Sequence, residues 1–192
     1  IKRFGADTAR AYVMFAGPPV ESAVWSDSGA EGVHRFLRRL WVFCQSRREK
    51  IAADGASAKE LRREIHLNLK QACYDYERLQ YNTVISAAMK MLNALENAQL
   101  TSGPVLRESI SILLRVLYPM APHITHVLWS ELGFEGEIMD APWPQPDPEA
   151  LKQDEIELVV QVNGKLRGSI RVPAAADRSL IEAAALNDAH VQ

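Results

Sequence analysis

Cysteine is nearly missing from this chain: Cys44 and Cys73 are the only two among 192 residues. Two thiols cannot form the disulfide framework of a small secreted scaffold. Both fall on apolar helical stripes, where a thiol behaves as a small hydrophobe. The expectation is reduced core cysteines in a cytoplasmic protein. Missing too is any apolar run near the roughly 20 residues that span a bilayer, and any basic-then-apolar leader. Charge of one sign is not in excess either. The 22 Lys and Arg against 24 Asp and Glu leave −2, which excludes a uniformly basic nucleic-acid binder. No Gly-x-Gly-x-x-Gly occurs, and Gly164-Lys165 lacks the upstream glycine of a phosphate-binding loop.

What the chain does have is segregated charge. From Arg35 to Lys50 there are six cations and one anion, Glu49, whereas residues 134 to 157 hold eight acids against Lys152 alone. A near-neutral total therefore hides a basic face. The 47% apolar and 24% charged composition is ordinary for a globular protein. The chain opens on Ile1 rather than Met, which reads as a piece of something longer.

Hydrophobic periodicity predicts six amphipathic helices. Asp7 is expected to cap the first, through about Ala16. Ser28 and Glu31 have capping-box spacing for a long basic helix from about Gly29 to Ile51, with Val33, Phe36, Leu37, Leu40, Trp41 and Cys44 as its apolar stripe. Ser57 and Glu60 form a second box, ahead of Leu61, Ile65, Leu69 and Ala72. Asn82 caps a fourth helix and Pro104 opens a fifth. Pro119 and Pro122 bend the chain into a sixth, stopped by Gly133. Short breaks between such helices make an antiparallel α-bundle over residues 1–133. Residues 134–154, with Pro142, Pro144, Pro146 and Pro148, read as an acidic, semi-rigid linker. Beyond it the period drops to 2, and Asn163-Gly164 supplies a type I′ hairpin turn. Asp177 caps a final helix. Residues 155–192 therefore read as a small, truncated α+β domain, too slight to be independently stable.

Arg35, Arg38 and Arg39 are the sharpest functional candidates. Steps of three and four place them on one helix side, where guanidinium forks can grip phosphates. The alternative is a solvated face, or salt bridges to neighbouring helices. Lys165, Arg167 and Arg171 fall on one face of the hairpin, which can lie along an RNA backbone or simply be the wet side of a half-exposed sheet. Trp25, Trp41, Trp129 and Trp143 can stack on bases; Trp41, on the apolar stripe, reads better as core. His123 and His126 share a helix face but lack a third ligand, so an ordinary amphipathic helix is favoured over a metal site. No catalytic residue and no metal ligand is assigned.

Three separated blocks resemble the C-terminal part of the leucyl-tRNA synthetase family of bacteria. They are Trp25-Ser26-Asp27-Ser28-Gly29-Ala30-Glu31-Gly32 with Arg35-Phe36-Leu37, Pro119-Met120-Ala121-Pro122-His123-Ile124, and Val160-Gln161-Val162-Asn163-Gly164-Lys165-Leu166-Arg167-Gly168. Phe4-Gly5-Ala6-Asp7-Thr8-Ala9-Arg10 is similar to the segment leaving that family's catalytic domain. The resemblance implies a helical anticodon-binding domain and the start of a C-terminal tRNA-binding domain. It implies leucine tRNA as partner, with RNA contact at Arg35, Arg38, Arg39, Lys165, Arg167 and Arg171. It also implies a parent enzyme that uses ATP and Mg, whose catalytic and editing domains would adjoin this chain. The family's His-Ile-Gly-His and Lys-Met-Ser-Lys-Ser motifs are not in this sequence, so the chain alone is expected to be inactive. A monomer with no DNA or membrane partner is expected. The rival reading is a helical domain that braces the catalytic core, with RNA contact incidental.

Overall fold

Six apolar stripes become six helices: α1 (Ala6–Phe15), α2 (Asp27–Gln45), α3 (Lys59–Glu77), α4 (Tyr81–Asn97), α5 (Pro104–Leu117) and α6 (Pro122–Glu131). A single turn, α7 (Pro148–Leu151), follows, then β1 (Glu155–Val162), β2 (Lys165–Pro173) and α8 (Arg178–Leu186). The computed structural model describes residues 1–48, 51, 58–98, 103–152, 155–162, 165–173 and 175–187. Its two compact units are Ile1–Leu151 and Lys152–Gln192.

The core of the first unit is aliphatic. Leu40 of α2, Ile65 and Leu69 of α3, Met91 and Leu92 of α4, and Leu113 and Leu117 of α5 are all fully buried. α3 and α4 form an antiparallel pair, with α5 against both and α1 against α2, α4 and α6. Burying one such side chain is worth about 1.5–3 kcal/mol, so the shared stripe is what holds the bundle.

Helix starts depart from the local capping signals, each for a tertiary reason. Asp7 does not cap α1, whose N-cap is Gly5. It reaches across to α6, where its carboxylate accepts the N–H groups of His123 (3.3 Å) and Ile124 (2.7 Å). α2 begins two residues before the Ser28–Glu31 box. Ser26 is the N-cap and accepts the Gly29 N–H at 3.2 Å. Tyr12 fixes this start: its hydroxyl donates to the Val24 carbonyl and accepts the Ser26 N–H. Glu31 instead pairs with Arg3. α2 also stops at Gln45, short of Ile51, because the chain tightens into turns in which Arg47 and Arg48 donate to the carbonyls of Cys44 and Gln45. Ile51 itself is buried. Ser57 lies outside the described residues, as do Glu49 and Lys50, and the N-cap of α3 is Ala58. Asn82 sits inside α4, not at its cap. Leu79 at φ 58 turns the chain so tightly that α4 starts at Tyr81.

The acidic proline segment belongs to the first compact unit up to Leu151, so it is a packed strap there and not a free linker. Ile138 and Ala150 are buried and Trp143 packs on the core. Prolines carry no N–H, so apart from the single turn α7 the strap makes no helix or ladder. It is held through its carbonyls and side chains: Arg115 donates to the Pro142 carbonyl at 2.9 Å, and Trp143 donates to the Cys73 sulfur at 3.3 Å.

In the second unit β1 and β2 pair antiparallel, with Ile156 opposite Val172 and Leu158 opposite Ile170. A bulge interrupts the register between Val160 and Gln161. Asn163 and Gly164 lie outside the described residues. Ile170 and Val172 are buried, and α8 packs along β2. Asp177 caps α8 as its sequence predicts, accepting the Leu180 N–H at 2.9 Å.

Candidate nucleic-acid interface

The outer face of α2 carries His34, Arg35, Arg38 and Arg39, all exposed, because Val33, Phe36, Leu37 and Leu40 turn the opposite side into the core. The three arginines stand together but are not equivalent. Arg39 crosses to α4, where it donates to Asn93 Oδ1 at 2.7 Å and forms an ion pair with Glu96. The hydrogen bond to Glu96 holds its guanidinium charged more firmly still. Arg35 and Arg38 have no hydrogen bond or ion pair to any other side chain among the described residues. The alternative of a salt-bridged face thus describes Arg39 and leaves Arg35 and Arg38 available.

Beside them lies an open groove of about 480 Å³ between α2 and the end of α4, lined by the three arginines, Val42, Phe43 and Arg47. Sequence reading did not choose Arg47. Its guanidinium lies 3.9 Å from the centroid of the Phe43 ring, and burial pushes its pKa below the usual arginine value. The signal was the helical step of eight and nine from Arg39 and Arg38, obscured because α2 ends before Arg47. A second cleft of about 520 Å³ opens on the other side of Arg38, between α1, α2 and α6. Trp41 lines it, 36% exposed, so the expectation of a core residue does not hold there. Its place on the stripe's edge leaves the indole at the mouth of the cleft, while Phe43 fills the core position.

The hairpin cations give a more mixed picture. Lys165 and Arg167 lie on β2, their side chains outside the described part of the structure; Arg171 is exposed. In the backbone register Arg171 stands opposite Glu157.

The two helix-sharing histidines turn to different carboxylates. His123 Nδ1 is 2.7 Å from Asp7 Oδ1, and His126 Nδ1 is 3.3 Å from Glu137 Oε2. Among the described residues no group of three or more His, Cys, Asp and Glu side chains is placed to hold a metal ion. Nor is any helix among them long and apolar enough to cross a membrane.

A further ionic cluster fastens the proline strap. Arg62 bridges Glu108 (2.7 Å) and Asp147 (2.6 Å). Buried His66 accepts the Asp147 N–H on Nδ1 at 3.0 Å, so Nε2 carries the proton and donates to Glu108 Oε1 at 3.2 Å. Burial opposes ionisation of Glu108, but the bonds and charge of Arg62 outweigh it and hold the carboxyl below its usual range. Asp147 is held low by its bond to Arg62 and by the Glu149 N–H. Arg62, His66 and Glu108 are isolated letters in the sequence, and only the fold joins them.

Comparison with known proteins fits this geometry. A family model described as the anticodon-binding domain of tRNA ligase matches residues 58–183. The chain is 59% identical over 97% of its length to a leucine–tRNA ligase of Methylibium petroleiphilum, and 60% identical over 98% to that of Ralstonia nicotianae. It spans only 22% and 23% of those two proteins. Among solved structures it superposes on a ternary complex of Agrobacterium radiobacter K84 agnB2 LeuRS with tRNA and LeuAMS. The TM-score is 0.82 at 29% identity, covering 99% of this chain and 26% of that one. With a helical bundle, a basic α2 face and relatives of this kind, the chain belongs to the family of anticodon-binding domains of tRNA ligases.

Proposed function

We propose that this chain is the tRNA-holding part of a leucine–tRNA ligase, which positions leucine tRNA so that its acceptor end reaches the catalytic domain. Positioning of this kind contributes rate through geometry, since it converts an encounter into an oriented complex. The observation that carries the reading is the α2 face, where Arg35 and Arg38 project beside an open groove without a hydrogen-bond or ion-pair partner among the described residues, in a chain whose relatives are leucine–tRNA ligases. Arginine forks on a helix recognise phosphates without reading sequence, so backbone and shape contacts are expected there. Residues 1–133 supply the tRNA-stem-binding bundle. Residues 155–192 supply the start of a second tRNA-binding domain, with Lys165, Arg167 and Arg171 along the RNA backbone.

Leucine activation requires ATP and Mg in the parent enzyme. The residues of this chain do not fit that role, since it holds neither a phosphate-binding loop nor the family's two catalytic motifs. The chain is inactive alone, works as a monomer in the cytoplasm, and docks with the parent's catalytic and editing domains. One observation favours the bracing role for a single residue: Arg39 ties α2 to α4. The test is binding of the chain to a leucine tRNA transcript and to a non-cognate tRNA across a salt series. Affinity that falls steeply with salt and prefers the leucine transcript supports the reading. No binding at low salt by folded chain refutes it.

A further inference from the structure

Three of the four tryptophans have both a ring partner and an acceptor for the indole N–H, although Trp25 is itself 48% exposed. Trp25 meets the Tyr12 ring with centroids 4.7 Å apart and donates to Asp27 at 2.8 Å. Trp129 stacks on Phe134 and donates to the Gly136 carbonyl at 3.1 Å. Trp143 packs on Tyr76 and donates to Cys73. Trp41 has neither a ring partner nor an acceptor for its indole N–H among the described residues, and it is more than a third exposed. An indole offers a large apolar surface and a polar tip, and both normally find partners.

The surroundings of Trp41 indicate the chemistry of a partner. Its cleft of about 520 Å³ is the size of a small-ligand site, with an apolar wall of Phe4, Leu37, Ile124 and Val127. The rim is cationic or neutral: Arg38 is unpaired among the described residues, and His34 meets the Thr8 hydroxyl at 3.3 Å. The one carboxylate in the lining, Asp7, is occupied by His123 and by two α6 amides. A flat apolar surface beside an unpaired guanidinium, with no free acid to repel an anion, complements a nucleobase carrying a phosphate. Arg38 also lines the neighbouring basic groove, so one side chain links this cleft to the face that grips the backbone.

We propose that the cleft is a nucleotide subsite, in which one unpaired base of the bound RNA stacks on Trp41 while its phosphate meets Arg38. The proposal rests on the tRNA-holding reading above and adds to it a site for a base that has left its stack. Base–aromatic stacking tolerates any sequence, so the subsite senses whether a base is unpaired and not which base it is.

The test measures binding of the unaltered chain and its Trp41→Leu, Trp41→Phe and Arg38→Ala variants to a leucine tRNA transcript and to a blunt, fully paired RNA duplex, with a thermal melt of each protein. Trp41→Leu is expected to weaken transcript binding about tenfold and Trp41→Phe by roughly threefold or less, because a phenyl ring still stacks. Duplex binding and melting temperature stay unchanged in both. Transcript binding unaffected by Trp41→Leu but weakened by Arg38→Ala removes the subsite and leaves the tRNA-holding reading standing. Binding that neither variant changes removes the subsite alone, and binding that the unaltered chain lacks removes both. Equal loss on transcript and duplex, or a lowered melting temperature in Trp41→Leu, assigns Trp41 to protein packing and overturns the proposal.

Discussion

Replacing Asp7 with alanine should destabilise α6, more than a hundred residues away, and not α1 in which Asp7 lies. The carboxylate accepts the first amides of α6 and faces His123 Nδ1, and its side chain is only 12% exposed. Loss of a helix cap costs about 0.5–2 kcal/mol. Loss of an anion at the positive end of the helix dipole adds about 0.3–1 kcal/mol. The expected cost is therefore about 1–3 kcal/mol. For a unit of this size each kcal/mol lowers the melting temperature by roughly 2–4 °C, so Asp7→Ala should melt roughly 2–12 °C lower. Asp7→Asn keeps an acceptor and loses the charge, and should fall between. Circular dichroism at the helical band gives the melting temperature, and amide hydrogen exchange locates the change. The Ile124 amide should exchange faster in Asp7→Ala. The reasoning fails if Ile124 stays protected, or if protection is lost from the first turn of α1 instead.

Arg39→Ala should lower the melting temperature by a few degrees with tRNA affinity nearly unchanged, whereas Arg35→Ala and Arg38→Ala should do the reverse; melts and filter binding separate the two groups. Arg62 holds Glu108 and Asp147 below their usual pKa values, so the stability this cluster gives is full above the unfolded carboxylate range and disappears as pH falls through the lowered folded values. Urea midpoints should accordingly be flat from pH 7 to 5 and drop below about pH 4.5, with a shallower drop in Arg62→Ala. Leu113→Ala, at a fully buried site, should cost about 2–5 kcal/mol by leaving a cavity, measured by urea unfolding. Burial pushes the Cys44 thiol up to about 12, so at pH 8 a thiol reagent should label Cys73 first and Cys44 only on unfolding.

Local signals proved readable where they act locally. Pro104 opens α5, Gly133 at φ 67 ends α6, and Asp177 caps the last helix. In each case donor and acceptor lie within one turn, so spacing in the sequence is spacing in space. Asp7, Ser28 and Asn82 misled because another element set the boundary: α6 draws Asp7 away, Tyr12 fixes Ser26, and Leu79 tightens the turn into α4. The candidate interface divides the same way. Periodicity placed Arg35, Arg38 and Arg39 on one face. It could not show that Glu96, 57 residues along the chain, had already claimed Arg39, nor that Trp41 stood at the edge of its stripe.

The proline strap has a consequence for the unfolded chain. Pro142, Pro144, Pro146 and Pro148 each hold φ near −65° before any contact forms, and each also restricts the residue preceding it. The denatured ensemble of this stretch is thus already narrow, and folding has little freedom left to remove from it. A suitable proline is worth about 0.4–1 kcal/mol by this route alone. That explains how a segment with one helical turn and no ladder stays fastened by a few carbonyls, one indole and one ionic cluster. Changing the prolines to alanine would leave most of those contacts in place and still loosen the strap, because the stability removed was never in the folded state.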